Sequence, residues 1–359
     1  METKDDDKPD NSATGLAGRV GAALDRRGFS TPALRVRAGV VALAVAATAV
    51  GLGIGGWALL ADDMTNRFGP DSVCDEVVSS RAVNDALGSG KVSAEPYEGD
   101  VSRGTAACIV TVAGGMFGDD RSLMVSLNQS KDVFHLPISP GARTFAASAN
   151  GGAVGAVQGR EAWALLPGGC PNGLWAQVTA YSGKEPDALK LARLAVSTAD
   201  RMADHRGCGT APLPALRELT PPAAERELDG DAVCGLPGIS VYRAPDKRYK
   251  EAVTAGSDPL WTCEITPEGE HESTSALVIA TEPRLRPDAT DRNTSPAFGR
   301  ARWVGSLPRD EIVVTCHGRP TYFRIGTIRH LGYLFSTSDE AWKQFLTAGG
   351  EAIGCEPIL

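Results

Sequence analysis

Apolar residues follow three patterns along the chain. Between Ala38 and Ala61 they run for 24 residues without a charge, AGVVALAVAATAVGLGIGGWALLA. At 1.5 Å per residue a helix of that length reaches about 36 Å, which crosses a hydrocarbon core of about 30 Å with modest tilt. Further on, alternating runs predict strands over residues 107–112, 122–127, 277–281 and 311–315, joined by strand-like LWAQVTAY at 174–181 and TYFRIGTI at 321–328. Helical spacing appears twice. Pro186 to Met202 carries Leu189, Leu191, Ala192, Ala195, Val196 and Ala199 on one face, and Ser338 to Ala348 carries Trp342, Phe345 and Leu346. Strands gathered with flanking helices predict an α+β fold.

Charge orients the apolar run. Arg19, Arg26, Arg27, Arg35 and Arg37 precede it, and Asp62 and Asp63 follow. The positive side stays cytoplasmic, so the expected topology is a single-pass plasma-membrane protein with the C-terminal part outside. Trp57 sits near the outer end, where an interfacial aromatic is favoured. The run exceeds a signal-peptide core and has Leu59 where cleavage after Ala61 would need a small residue, so an uncleaved anchor is expected. The organisation read from this is a cytoplasmic, disordered stub at 1–37 and a transmembrane helix at 38–61. The stub holds 7 basic and 6 acidic residues, leaving the exported part with a net charge of −9 of the chain's −8. Acidity there, without a clustered basic surface, argues against nucleic acid as a partner.

All eight cysteines lie beyond the span: Cys74, Cys108, Cys170, Cys208, Cys234, Cys263, Cys316 and Cys355. An exported, even-numbered set implies disulfides. Intervals of 34, 62 and 38 residues in the first four are echoed by 29, 53 and 39 in the second, which suggests an internal repeat. Local text agrees. Asp71-Ser-Val-Cys74 echoes Asp231-Ala-Val-Cys234, and Gly159-Arg-Glu-Ala-Trp163 echoes Gly299-Arg-Ala-Arg-Trp303. Each copy ends at Gly-Cys, Gly207-Cys208 and Gly354-Cys355, where glycine suits a helix C-terminus. Two related α+β domains are expected, at 62–211 and 231–359, each with two or three strands before its third cysteine, one after it and a last helix. A Pro-rich, acidic linker would join them at 212–230. Four cysteines allow three pairings per domain. The pairing expected here is 74–108, 170–208, 234–263 and 316–355.

Catalytic patterns are lacking. The sequence holds no HExxH and no GxSxG. Gly88-Ser-Gly-Lys91 resembles the end of a phosphate loop, but Val92 stands where a magnesium-binding hydroxyl belongs, so a plain turn is expected. No CxxC pair and no closely spaced histidines occur, so neither metal nor cofactor is expected. Glu268, Glu270, His271 and Glu272 read as a solvated hairpin tip. One strip suggests a ligand: Arg319, Tyr322, Arg324, Arg329 and His330, where guanidinium beside aromatic groups can hold an anionic or sugar-like molecule.

Arg outnumbers Lys 27 to 9 in an Ala- and Gly-rich chain. With the bitopic layout, this resembles the single-pass, membrane-anchored exported proteins of actinobacteria. The segments Val73-Cys74 to Leu87-Gly88 and Ala107-Cys108 onward are similar to secreted actinobacterial lipoprotein domains with two disulfides. The lipid-anchor cysteine is absent, and Trp261 precedes Cys263 where those domains carry Trp after it. The resemblance implies envelope location, and no activity is carried over from it. The expected function is a non-catalytic, membrane-tethered binding or protein-interaction module of the cell envelope. It would touch the bilayer through residues 38–61 and an envelope protein or ligand outside. The alternatives are a sensor relaying to a cytoplasmic partner and an envelope enzyme with an unrecognised site.

Overall fold

The computed structural model describes residues 40, 66, 69–97, 107–114, 118–129, 141–146, 152–171, 173–209, 211–241, 248–254, 260–269, 275–285, 294–304, 311–326 and 337–359. The expected stub and span therefore lie outside the described residues, Val40 excepted. Among the described residues no helix is long and apolar enough to cross a membrane. Asp62–Leu359 forms one compact unit.

That unit is mixed α+β. Its first half opens with a hairpin of two-residue strands, β1 (Ser72–Val73) and β2 (Val78–Ser79), and helix α1 (Ser80–Leu87). Strands β3 (Val92–Pro96), β4 (Ala107–Val112), β5 (Arg121–Gln129), β6 (Arg143–Ala146), β7 (Val154–Gln158), β8 (Glu161–Leu165) and β9 (Leu174–Ala180) follow, then helix α2 (Ala188–His205). The second half has β10 (Glu225–Glu227), a 3-10 turn at Val233–Gly235, β11 (Tyr249–Val253), β12 (Leu260–Pro267) and β13 (Ser275–Ala280). It continues through β14 (Thr294–Pro296), β15 (Arg302–Val304), β16 (Glu311–Cys316) and β17 (Arg319–Ile325) to helix α3 (Ser338–Ala352).

Both sheets are antiparallel and share one topology. The first runs β3-β4-β5-β9-β8-β7-β6, and the second runs β11-β12-β13-β17-β16-β15-β14 with β10 added outside β11. Disulfides join Cys74 to Cys108, Cys170 to Cys208, Cys234 to Cys263 and Cys316 to Cys355. In each half the first bond ties the opening segment to the second strand of the sheet. The second bond ties Cys170, between β8 and β9, or Cys316, the last residue of β16, to the residues after the helix. Loops of this size contribute about 4 kcal/mol each on the chain-entropy model.

Local rules place the helices. Ser79, Asp187 and Thr337 cap α1, α2 and α3 by accepting from the main-chain N–H of Ala82, Lys190 and Glu340. Gly88, in the phosphate-loop look-alike, is the left-handed C-cap of α1 (φ 94°), and Arg121 donates to the Leu87 and Ser89 carbonyls beside it. Helix α2 buries Leu191, Leu194, Ala195, Thr198, Ala199 and Met202 against Val110, Val125, Ala164, Ala176 and Val178. Helix α3 buries Trp342, Phe345 and Leu346 in a ring cluster. There Trp342 meets Trp303 edge-on at 5.3 Å and Phe345 meets Phe323 at 5.5 Å.

Several expectations change. Each sheet holds seven equivalent strands rather than three or four, because β3, β6, β7, β11, β14 and β15 are too short to declare a period. The Gly-Arg-x-x-Trp echo is not a structural equivalence: Trp163 lies on β8, Trp303 on β15, one strand earlier in the shared order. The 212–230 connection is packed rather than loose. Leu216 is buried, Arg193 donates to its carbonyl, Thr220 bridges to Thr144 beside β6, and Glu225–Glu227 pairs with β11. Finally, the halves share a core. Trp163, Leu165 and Trp175 alternate with inward residues of the first sheet and pack with Ala280, Leu285 and Tyr322 of the second half.

Candidate functional site

Of the expected ligand strip, Arg319, Tyr322 and Arg324 are described, and these three do not form one exposed surface. Tyr322 is buried in the core between the sheets, Arg324 stands opposite Glu311 across the β16–β17 ladder, and Arg319 lies exposed at the start of β17. Residues 319 and 324 point to opposite faces of the strand by alternation. Arg329 and His330 lie outside the described residues, as do Glu270, His271 and Glu272.

A different place has the character of a binding site. Beside the Cys74–Cys108 disulfide a cleft of about 450 Å³ opens between the β3–β4–β5 end of the first sheet and the C-terminal end of α2. Val77, Ala94, Val125, Leu127 and Met202 line it, and Asp75, Glu95, His205 and Arg206 supply its polar groups. An apolar concavity of this size with a few convergent polar groups is the usual form of a ligand site. Its mouth is built on strained backbone: Cys74, Asp75 and Glu76 are consecutive left-handed residues with φ of 56°, 54° and 70°. Each costs about 1–2 kcal/mol for a non-glycine residue. Arg201 donates to the Glu76 carbonyl and Val77 N–H to that of Cys74, which holds the turn.

The second half carries a cleft at the equivalent position. It is lined by Cys234, Leu236, Val253, Trp261 and Ile279, with Ala352 and Ile353 from the end of α3. Counted from the last cysteine of each quartet, Ala352 and Ile353 correspond to His205 and Arg206. Cys234 is again left-handed (φ 62°), followed by Gly235 (φ 69°) where the first half has Asp75. Here the space is about 410 Å³ and an arginine stands in its wall. Arg226, from β10, donates Nε to Oε1 of Glu251 at 2.7 Å, and the other oxygen of that buried carboxylate accepts from Cys234 N–H at 2.6 Å. A Cβ on Gly235 would lie 2.8 Å from Arg226 Nη2, so glycine gives the guanidinium its room. Cys234, Glu251 and Cys263 form a cluster of metal-donor types, but both sulfurs are bonded to each other and the carboxylate is committed to Arg226. No thiolate is present to ligate a metal.

A third feature is polar. Asn128 donates to Gln177, which donates to Glu161, and Glu161 with Trp163, Ala156 and Gln158 lines a cavity of about 130 Å³. Burial pushes the Glu161 carboxyl above its ordinary value, against the hydrogen bond from Gln177. Among the described residues it is the one carboxylate of that lining.

The chain matches no family model, and no curated protein is similar to it. Sequence reading missed the clefts because their walls come from five separate segments in the first half and six in the second. A signal was present one residue beyond a recognised echo, in Val73-Cys74-Asp75 against Val233-Cys234-Gly235.

Proposed function

We propose that this chain is a membrane-tethered, extracytoplasmic binding or protein-interaction module of the cell envelope. The anchor rests on the uncharged run at 38–61 with arginines before it and aspartates after it. Duplication of one ancestral domain accounts for the shared strand order and disulfide placement of the halves. The observation that carries the binding reading is the contrast between the two clefts. The second, of similar size, has Arg226 and Trp261 in its wall, whereas the first has an apolar lining and a strained acidic mouth. Strain retained at Asp75, where the sister half uses glycine, fits a position kept for function rather than stability.

Photo-crosslinking of the full-length chain in its native membrane tests this. A benzoylphenylalanine at position 206, on the cleft, is expected to give an adduct of defined mass. The same group at position 268, which is not among the residues lining the cleft, should not. No adduct from 206, or the same adducts from both positions, overturns the reading.

A further inference from the structure

We propose, resting on the binding reading above, that the first cleft receives an extended peptide that adds a strand to the β3 edge and inserts a large apolar side chain opposite Ala94. The second half shows the arrangement already made. There β10 pairs antiparallel with β11, Arg226 stands opposite Glu251, and its side chain forms part of the cleft wall. Val253 pairs with Cys263 as Pro96 pairs with Cys108, so Ala94 is the counterpart of Glu251.

The hydrogen-bond phase of β3 agrees. In an antiparallel ladder alternate residues face alternate neighbours. Ala113 N–H donates to Lys91 O, which puts Lys91, Ser93 and Glu95 in phase with β4 and turns Val92, Ala94 and Pro96 outward. Val92 N–H is bound by Asn66 Oδ1 at 2.9 Å. Pro96 has no N–H to lose on that side, which is where proline is tolerated in a sheet. Among the described residues no strand pairs with this side of β3. The same phase holds in the second half, where Leu228 N–H donates to Tyr249 O and turns Tyr249, Glu251 and Val253 toward β10.

The lining sets the chemistry of the inserted residue. A carboxylate at 251 selects a guanidinium; a methyl at 94, with Val125, Leu127 and Met202 behind it, selects an aliphatic or aromatic group. Main-chain hydrogen bonds would give the strand its affinity and the cleft its choice of side chain.

The test uses full-length protein in detergent and a labelled peptide, acetyl-Thr-Val-Thr-Leu-Thr-Val-Thr-amide, read by fluorescence anisotropy. Wild type should bind it at least tenfold more tightly than the same peptide N-methylated at leucine, or than one with arginine in place of leucine. Ala94→Pro, which replaces the outward N–H with a ring carbon and leaves the bonds to β4 in place, should weaken binding about tenfold, and Ala94→Glu should reverse the leucine-over-arginine preference. If N-methylation and Ala94→Pro change nothing while Leu127→Trp abolishes binding, strand addition is overturned and the apolar cleft remains a binding site. If the peptide does not bind, or Leu127→Trp has no effect either, the cleft reading falls with it.

Discussion

The guanidinium of Arg284 donates a 3.2 Å hydrogen bond to the carbonyl of Leu166, 118 positions earlier in the chain. Its Nη2 reaches the Gly152 carbonyl at 2.9 Å, and its own carbonyl accepts from Gly173 N–H at 2.8 Å. Arg284 belongs to the second half and all three partners to the first. Glu282 balances the charge, with Oε1 2.9 Å from Nε. One buried arginine thus fastens the two halves beside their shared apolar core.

Replacing Arg284 by Met should be costly. It leaves the Glu282 carboxylate buried without its partner and strips the Leu166 and Gly152 carbonyls of their donors. Breaking one side of a buried pair costs about 3–5 kcal/mol. Urea denaturation should show that loss, with faster hydrogen exchange at the Gly173 amide. A loss below about 1 kcal/mol would mean that the interface is held by the Trp163 and Trp175 packing instead.

The same pair predicts acid sensitivity. Burial alone pushes the Glu282 carboxyl up, but the hydrogen bonds and charge of Arg284 outweigh it and hold the group below its ordinary value. A depressed folded pKa means stabilisation that is present above the unfolded value near 4.5 and is lost as pH falls through the folded one. Unfolding midpoints measured from pH 7 to pH 3 should drop for wild type, and the drop should be shallower for Glu282→Gln. Equal slopes would remove Glu282 from the acid response.

Much of this architecture was legible because disulfides and long periodic segments announce themselves. The alternation of Glu311 to Cys316 and the helical face of Leu191 to Met202 each carry enough repeats to define a period. The cysteine rhythm reflected a real equivalence, since each cysteine marks the same place in both sheets. What failed was local text without register. Trp163 and Trp303 share a motif, yet one faces the other sheet and the other faces α3. Tyr322 and Arg324 looked like a displayed strip because alternation gives a side chain's face and not what covers it. A cleft is harder still: Ala94, Val125 and Met202 meet only after the β3–β4–β5 meander and α2 are packed, and no spacing along the chain encodes that meeting.

The two tryptophans should therefore respond differently to truncation. Removing either ring from a packed site costs about 3–5 kcal/mol. Trp163→Ala should raise hydrogen exchange in both halves, at the Tyr322 amide as well as in β8. Trp303→Ala should loosen the cluster with Phe298 and Trp342 and leave β8 protected. Equivalent positions in a true repeat would give parallel effects; the same pattern from both variants would restore the equivalence rejected above.

Gly235→Asp converts the second cleft's mouth to the residue the first half carries there. The new side chain meets a left-handed backbone at φ 69° and a Cβ site 2.8 Å from Arg226 Nη2. The backbone cost is about 1–2 kcal/mol for a non-glycine residue. Steric displacement of Arg226 from Glu251 adds to it, and β10 loses the bond that seats it. Trypsin cleavage after Arg226 should then quicken, since three exposed residues have little else to hold them against β11. Gly235→Ala supplies the same Cβ without the carboxylate and should act in the same direction. The decisive arm is Arg226→Ala. On that background Gly235→Asp should cost only its backbone strain, because the clash has been removed, and the two effects will fall short of their sum. Additive costs would mean that Gly235 serves the turn alone and that the guanidinium does not depend on it.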